Sequence, residues 1–275
     1  MSRYNRLRKV IATNRDNVIV RSVAKICRLY LDLTDNARHW NFATNGEMFI
    51  SSAVLSQTSG CVFDVGAHHG AYARLLLEKD PSRQIFAFEP VLKQVEIACQ
   101  SLASFENVCI VPMGLSDSIG TELVYLSRKH PDTAGTVRFT HDFDADGEFE
   151  EIVCNFTTGD AFCAEQMIER IALLKIDVEG MEARVLRGFK EKLSSGRIET
   201  IQFEHGPTHA ETGDTVRTLT RTLNGYGYTV WAIFPNGLRE FSSPGADAET
   251  FRGRNLFAAL TSQAAKYGSL IVGSC

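Results

Sequence analysis

The segment Asp64-Val65-Gly66-Ala67-His68-His69-Gly70 places two glycines four residues apart behind an apolar run. Glycine lets the main chain turn tightly and approach a ligand with no Cβ in the way. A helix opening there presents free N–H groups to a carboxylate, phosphate or other acceptor. Such a turn can be purely structural, but Phe88-Glu89-Pro90 places an acid 19 residues beyond Gly70. An acid at the end of a second strand, about 20 residues past the turn, is set to bind the vicinal hydroxyls of a ribose. The plainer role for Glu89 is to complement a helix dipole. Dinucleotide sites read GxGxxG, whereas here the order is Asp64-x-Gly66-x-His68-x-Gly70, with an acid two residues before the first glycine. That acid suits a ligand carrying an ammonium and a sulfonium and no pyrophosphate. S-adenosylmethionine meets the description better than a nicotinamide cofactor.

Three further clusters belong to the same kind of strand end. Gly114-Leu115-Ser116-Asp117 supplies a polar tip that can bind an adenine amino group, or is an ordinary turn. In Leu174-Lys175-Ile176-Asp177-Val178-Glu179-Gly180, strand alternation sends Lys175, Asp177 and Glu179 to one side. Ligands of open α/β sheets sit at that edge, although a structural ion pair would use the same residues. Phe203-Glu204-His205-Gly206 adds a carboxylate and an imidazole, with His205 either solvated or in a catalytic role. His68-His69 is poor evidence for a metal, because adjacent ligands lack recognisable partners, and no metal is expected.

These residues need elements to hold them. From residue 61 onward short apolar runs alternate with stretches of helical period, the pattern of βαβ units and a mostly parallel sheet. Strands are expected at 61–65, 84–88, 108–113, 122–126, 171–176 and 198–203, and helices at 71–79, from Pro90, at 182–193 and at 216–223. Residues 228–234 and 255–260 read as an antiparallel pair at the sheet edge. Helical stretches at about 16–33 and 46–57 precede the sheet. Residues 127–147 form the longest stretch without periodicity, a loop expected to be functional or mobile. The organisation is thus an N-terminal helical extension (1–58), an α/β domain (59–262) and a C-terminal tail (263–275).

Composition limits the alternatives. The 275 residues are 44% hydrophobic and 23% charged, with seven prolines, so a full core can be buried. A net charge of −4 argues against a nucleic-acid binder that neutralises many phosphates. Before Asp32, however, eight basic residues from Arg3 to Arg28 face the single acid Asp16. This is read first as a solvated helical face, with weak peripheral contact to an anionic membrane as the other reading. No apolar run reaches the length of a membrane span. Seven scattered cysteines without a CxxC pair suit free thiols and a cytoplasmic location. Oligomeric state is not legible.

Taken in order, Asn45-Gly46-Glu47, the 62–67 turn with Gly70, Phe88-Glu89-Pro90, Leu115-Ser116-Asp117 with Gly120, Thr157-Thr158 with Asp160, residues 174–182, Ile201-Gln202-Phe203-Glu204 and Arg254-Asn255-Leu256 resemble the FkbM family of S-adenosylmethionine-dependent methyltransferases. The resemblance implies a class I, Rossmann-like doubly wound fold and O-methylation of a sugar, glycan or natural-product hydroxyl. It puts Asp64, Gly66 and Gly70, with Ala67 and His68, at the methionine end of the donor. Glu89 and Pro90 then fall at the ribose, Ser116 and Asp117 near the adenine, and Asp177 close to the reacting centre. The family usually has Asn where this chain has His68. Asp177 or His205 is expected to take the acceptor proton, with Lys175, Glu179 and Glu204 meeting the acceptor. An NAD(P)-binding oxidoreductase and a catalytically silent donor-binding protein are the competing readings.

Overall fold

All five residues of Cys61–Val65 are buried, so this run, β1, must lie in the middle of a sheet covered on both faces. In the computed structural model, which describes residues 2–128, 134–136, 138, 149–240 and 249–274, helices α1 (Arg3–Thr13), α2 (Val18–Thr34) and α3 (Glu47–Leu55) come first. After β1 follow α4 (Ala71–Lys79), β2 (Ile85–Phe88), α5 (Leu92–Ser101), β3 (Val108–Val111), β4 (Gly114–Leu115), β5 (Gly120–Ser127), β6 (Ala134–Gly135), β7 (Phe149–Thr157) and α6 (Gly159–Glu165). The second half runs β8 (Ile171–Ile176), α7 (Glu182–Gly188), α8 (Lys190–Ser194), β9 (Ile198–His205), α9 (His209–Thr212), α10 (Val216–Gly225), β10 (Tyr228–Phe234), β11 (Gly237–Glu240), β12 (Arg254–Leu260), a 3₁₀ stretch (Thr261–Leu270) and β13 (Ile271–Ser274).

The described strands form a nine-stranded sheet in the order β13-β11-β10-β12-β9-β8-β1-β2-β3. Strands β3, β2, β1, β8 and β9 are parallel neighbours, and β12 is antiparallel to both β9 and β10. This is a class I, Rossmann-like, doubly wound sheet whose winding reverses between β1 and β8, the switch point where α/β folds bind ligands. The antiparallel strand is not the edge. Residues 254–260 return between β9 and β10, and the 237–240 hairpin arm and β13 extend the sheet beyond them. Of the expected C-terminal tail, residues 263–270 belong to the 3₁₀ stretch and Ile271–Ser274 form β13.

Pleating divides the core. Phe63, Leu174, Ile176 and Phe203 face α6, α7, α8 and α10, where Phe63 meets Phe162 and Phe189 edge-on at 5.8 and 5.9 Å. Val62 and Leu173 face α3 and α4. On that second face β1, β8 and β9 also carry a transverse polar row, with Asp64 opposite Lys175 and Lys175 opposite Gln202.

A second sheet of order β4-β7-β5-β6 stands on the chain between β3 and α6. Strand β7 was not foreseen, because Phe149-Glu150-Glu151-Ile152-Val153-Cys154 interrupts apolar–polar alternation with paired acids. The single helix expected over 182–193 is broken at Phe189. Most of the expected 127–147 loop lies outside the described residues. No described helix is long and apolar enough to cross a membrane.

Candidate active site

The carboxyl ends of β1, β2, β8 and β9 open into a cavity of about 700 Å³, within the range of small-molecule sites. Its floor is the turn after β1. Gly66 has φ +84°, and a Cβ there would stand 1.8 Å from the Asp177 carbonyl oxygen, so only glycine lets the β1 and β8 ends meet. Asp177 closes the join by donating its N–H to the Val65 carbonyl (2.9 Å). His68 (φ 48°) and Glu179 (φ 53°) also line the cavity in left-handed conformations, strain that concentrates at functional sites.

Glu89 spans two elements. Its Oε2 accepts from the His68 N–H (3.0 Å) and its Oε1 from the N–H of Val91 (2.9 Å), the N-cap residue of α5. The helix-cap contacts leave room for a ligand, since a carboxylate offers about four lone-pair sites and two of them are used. Burial pushes its pKa up to about 6, against the pull of the Val91 and His68 N–H groups. Asp64 is 2% exposed, and its Oδ2 has no hydrogen-bond partner. Burial raises it to about 7 despite Lys175 across the sheet. A buried carboxyl oxygen left without a partner in a cavity wall favours a cation or a hydrogen-bond donor beside it.

Lys175 is already committed. Only 3% exposed, its Nζ lies 3.0 Å from Glu47 Oε2 and 3.3 Å from Asp177 Oδ2. Burial alone would lower its pKa, but the Asp177 and Glu47 carboxylates outweigh that and hold it well above the ordinary range. Glu47, the first residue of α3, is itself fixed by Asn45 Nδ2 (2.7 Å) and Gln202 Nε2 (2.5 Å). Ser51 Oγ and the Tyr72 hydroxyl continue this buried network to Gln202 Oε1. Glu47 escaped the sequence reading as a site residue, since its partner Lys175 is 128 positions away; its place beside Asn45 and Gly46 was the one available signal.

Asp177 is 40% exposed at its side chain and reaches the cavity. Glu179 and Glu204 join it there. Burial, reinforced by Asp177, raises Glu179 to about 8 and Glu204 well above its ordinary value. Trp40 and Phe42 from the N-terminal segment, and Val124, Ser127, Phe156 and residues 134–136 from the second sheet, complete the described wall. Six carboxylates (Glu47, Asp64, Glu89, Asp177, Glu179, Glu204) thus face one lysine among the described lining residues.

Three expectations are corrected. The alternation that turns Gln202 and Glu204 toward α3 turns His205 away from the cavity. It is 2% exposed, its Nε2 lies 3.2 Å from the Asp214 carbonyl, and its ring stacks on His209 at 4.4 Å. Burial, helped by His209, drops its pKa to about 3, and it is not among the described residues that line this cavity. Asp117 faces α7, where Arg184 Nε (3.1 Å) and Arg187 Nε (3.0 Å) bind it and hold its pKa low against the cost of burial. Ser116 is wholly buried, its hydroxyl directed to Asp117 and Glu122. Gly114 and Leu115 line that corner instead. Asp64, Gly66, Ala67, His68, Glu89, Pro90, Lys175, Asp177, Glu179 and Glu204 all line the cavity. Gly70 caps α4 beneath it, with φ 75°.

Residues 64–230 match the Methyltransferase FkbM domain. The 2-O-methyltransferase NoeI of Sinorhizobium fredii (strain NBRC 101917 / NGR234) is 25% identical over 155 residues, covering 53% of this chain and 64% of that one. Methyltransferase sdnD of Sordaria araneosa is 29% identical, covering 48% and 61%. The 31-O-demethyl-FK506 methyltransferase FkbM of Streptomyces tacrolimicus is 28% identical over 212 residues, covering 67% and 78%. The match therefore spans less than two thirds of the NoeI and sdnD chains. Among solved structures, methyltransferase FkbM from Methylobacillus flagellatus KT aligns with a TM-score of 0.45 at 13% identity, over 73% of this chain and 43% of that one.

Proposed function

Because this chain belongs to the FkbM methyltransferase family, we propose that it moves a methyl group from S-adenosylmethionine to a hydroxyl of a sugar, glycan or natural product. The observation that carries the donor assignment is the acidic lining of the cavity: six carboxyl groups, of which burial keeps Glu179 and Glu204 protonated, against one lysine already paired twice. A sulfonium and an ammonium are attracted to such a wall, whereas a pyrophosphate is repelled, which disfavours the oxidoreductase reading. The unpaired Asp64 oxygen and the bare main chain at Gly66 fit the methionine end. Glu89 takes the ribose diol, Pro90 borders it, and the adenine lies against Gly114 and Leu115. When bound, the donor supplies an electrophilic methyl on a sulfonium.

The chain's own groups do the rest. Catalysis of this kind rests largely on alignment of the reactants. Glu179 and Glu204, kept protonated by burial, can both donate to and accept from acceptor hydroxyls, and Trp40 and Phe42 offer faces to a sugar ring. Lys175 holds Asp177 Oδ2, so Oδ1 is the atom that accepts the hydroxyl proton, a base contribution of roughly 10²–10⁴-fold. The names of NoeI and FkbM, both O-methyltransferases, support oxygen as the acceptor atom. Calorimetry with S-adenosylhomocysteine and with NADPH tests the donor. Binding of the first alone is expected, and binding of NADPH alone overturns the reading. A full-strength donor site with no transfer of labelled methyl to any hydroxyl acceptor would favour a silent binding protein.

A further inference from the structure

Helices α1 and α2 bury none of their residues against the rest of the molecule. The pair is fastened at its C-terminal end, where Arg252 forms an ion pair with Asp32 and donates to the Arg28 carbonyl (3.3 Å). On α2, Ile19, Val23, Ile26, Tyr30 and Leu33 recur at helical spacing, and Ile19, Ile26, Tyr30 and Leu33 are 65–72% exposed. On α1, Tyr4, Leu7 and Ile11 repeat the pattern, again exposed. Arg21, Lys25 and Arg28 fall on the opposite side of α2, and Arg3, Arg6, Arg8 and Lys9 accompany the apolar row of α1.

We infer that this arm is a docking surface for an anionic lipid bilayer. An apolar stripe of this length, with cations on the remaining faces, is the pattern of helices that lie in the plane of a membrane interface. Charge decides the occupant. Residues 1–28 carry eight basic groups and one acid, a net +7, so the remainder of the chain carries −11 to reach the total of −4. Pairing the arm with that of a second copy would cover the stripe but bring two strongly cationic segments together. Exposed large apolar side chains elsewhere among the described residues, such as Leu92, Ile119, Val153 and Met167, are scattered and offer no matching groove. An anionic surface satisfies both properties of the arm at once, and it repels the acidic remainder, which orients the molecule arm-down. The screening length of about 10 Å at about 0.1 M salt lets cations on the far side of each helix contribute.

The test is flotation of the full chain with vesicles of phosphatidylcholine alone and of phosphatidylcholine with about one-third phosphatidylglycerol, at about 0.1 M and about 0.5 M salt. Expected is at least roughly tenfold stronger partition onto the anionic vesicles, most of it lost at the higher salt, because each basic residue near the surface multiplies partition by about five. The I19E/I26E and R21E/K25E variants each lower partition by at least about tenfold. All four residues are exposed on the arm, so far-UV dichroism and S-adenosylhomocysteine affinity remain those of the parent. Equal partition onto neutral vesicles, or no partition onto either, overturns the inference. So does a dimer in sedimentation velocity that I26E dissolves while the parent ignores vesicles.

Discussion

Replacing Glu89 by glutamine removes one charge and changes the shape of the side chain hardly at all, so it isolates the electrostatic part of donor binding. In the parent, Oε1 and Oε2 each hold one main-chain N–H and keep a lone pair for one diol hydroxyl. A hydrogen bond to a charged group is worth ~1.5–3 kcal/mol and a neutral one ~0.5–1.5 kcal/mol. Neutralising both diol bonds therefore costs roughly 2 kcal/mol, or about a 30-fold weaker Kd for S-adenosylhomocysteine. The new Nε2 also confronts the His68 or Val91 N–H, donor against donor, so Tm falls by roughly 2–4 °C for each kcal/mol of that loss. Two pH effects of opposite sign accompany it. The Glu89 pKa is raised from 4.5 to about 6, so its contribution to folding stability is complete below pH about 4.5 and is lost as pH rises through about 6. Donor affinity in the parent moves the other way, falling as pH drops through about 6, and in E89Q that step is absent. Isothermal calorimetry from pH 5 to 8 reads the affinity and its pH step, and thermal melts from pH 4 to 8 read the change in stability. A variant that binds within about twofold of the parent, with the same pH profile, refutes the assignment of Glu89 to the ribose.

Asp177→Asn should leave donor affinity within about threefold yet slow methyl transfer by roughly 10²–10⁴-fold, whereas His205→Phe should lower Tm and leave turnover within about threefold; the reverse pattern in single-turnover assays restores His205 as the base. Lys175→Met strands Glu47, which is 4% exposed, and should cost about 3–5 kcal/mol in urea unfolding, while the K175M/E47Q pair costs less than the sum of the single changes. Strict additivity would mean the two side chains are not coupled. Asp64, raised to about 7, is partly protonated near neutrality, and a cationic ligand beside it expels that proton. Binding heats near pH 7 in buffers of different ionisation enthalpy should report proton release, larger for S-adenosylmethionine than for S-adenosylhomocysteine, and proton uptake would contradict the charge argument.

The glycine turn and the acid that line one side of the cavity are legible because their signals are local. Gly66, Gly70 and Glu89 lie in one βαβ unit, where a close approach demands glycine and a strand end fixes the acid. The succession of strands and helices along the chain followed from apolar runs separated by helical periods, whereas the place of β12 inside the sheet did not. What failed was directional or distant. His205 and Glu204 are neighbours in sequence and opposites in the pleat, so a shift of one residue decides which reaches the ligand. Asp117 was assigned from its position after β3, but its fate is set by Arg184 and Arg187, about 70 residues on. Strand β7 carries acids where alternation expects apolar residues, and its register comes from β5 rather than from its own pattern.

The lysine at the heart of the sheet takes half its neutralisation from a helix outside the parallel unit. A fragment starting at Cys61 would keep every strand of the large sheet, yet it would seal an ammonium inside with Asp177 as its sole named counter-ion. The segment carrying Glu47 is thus no detachable prefix to a self-sufficient transferase cassette. Grafting or trimming this domain has to leave the chain from Asn45 onward in place, because the last piece of the cavity wall arrives from upstream of its first strand.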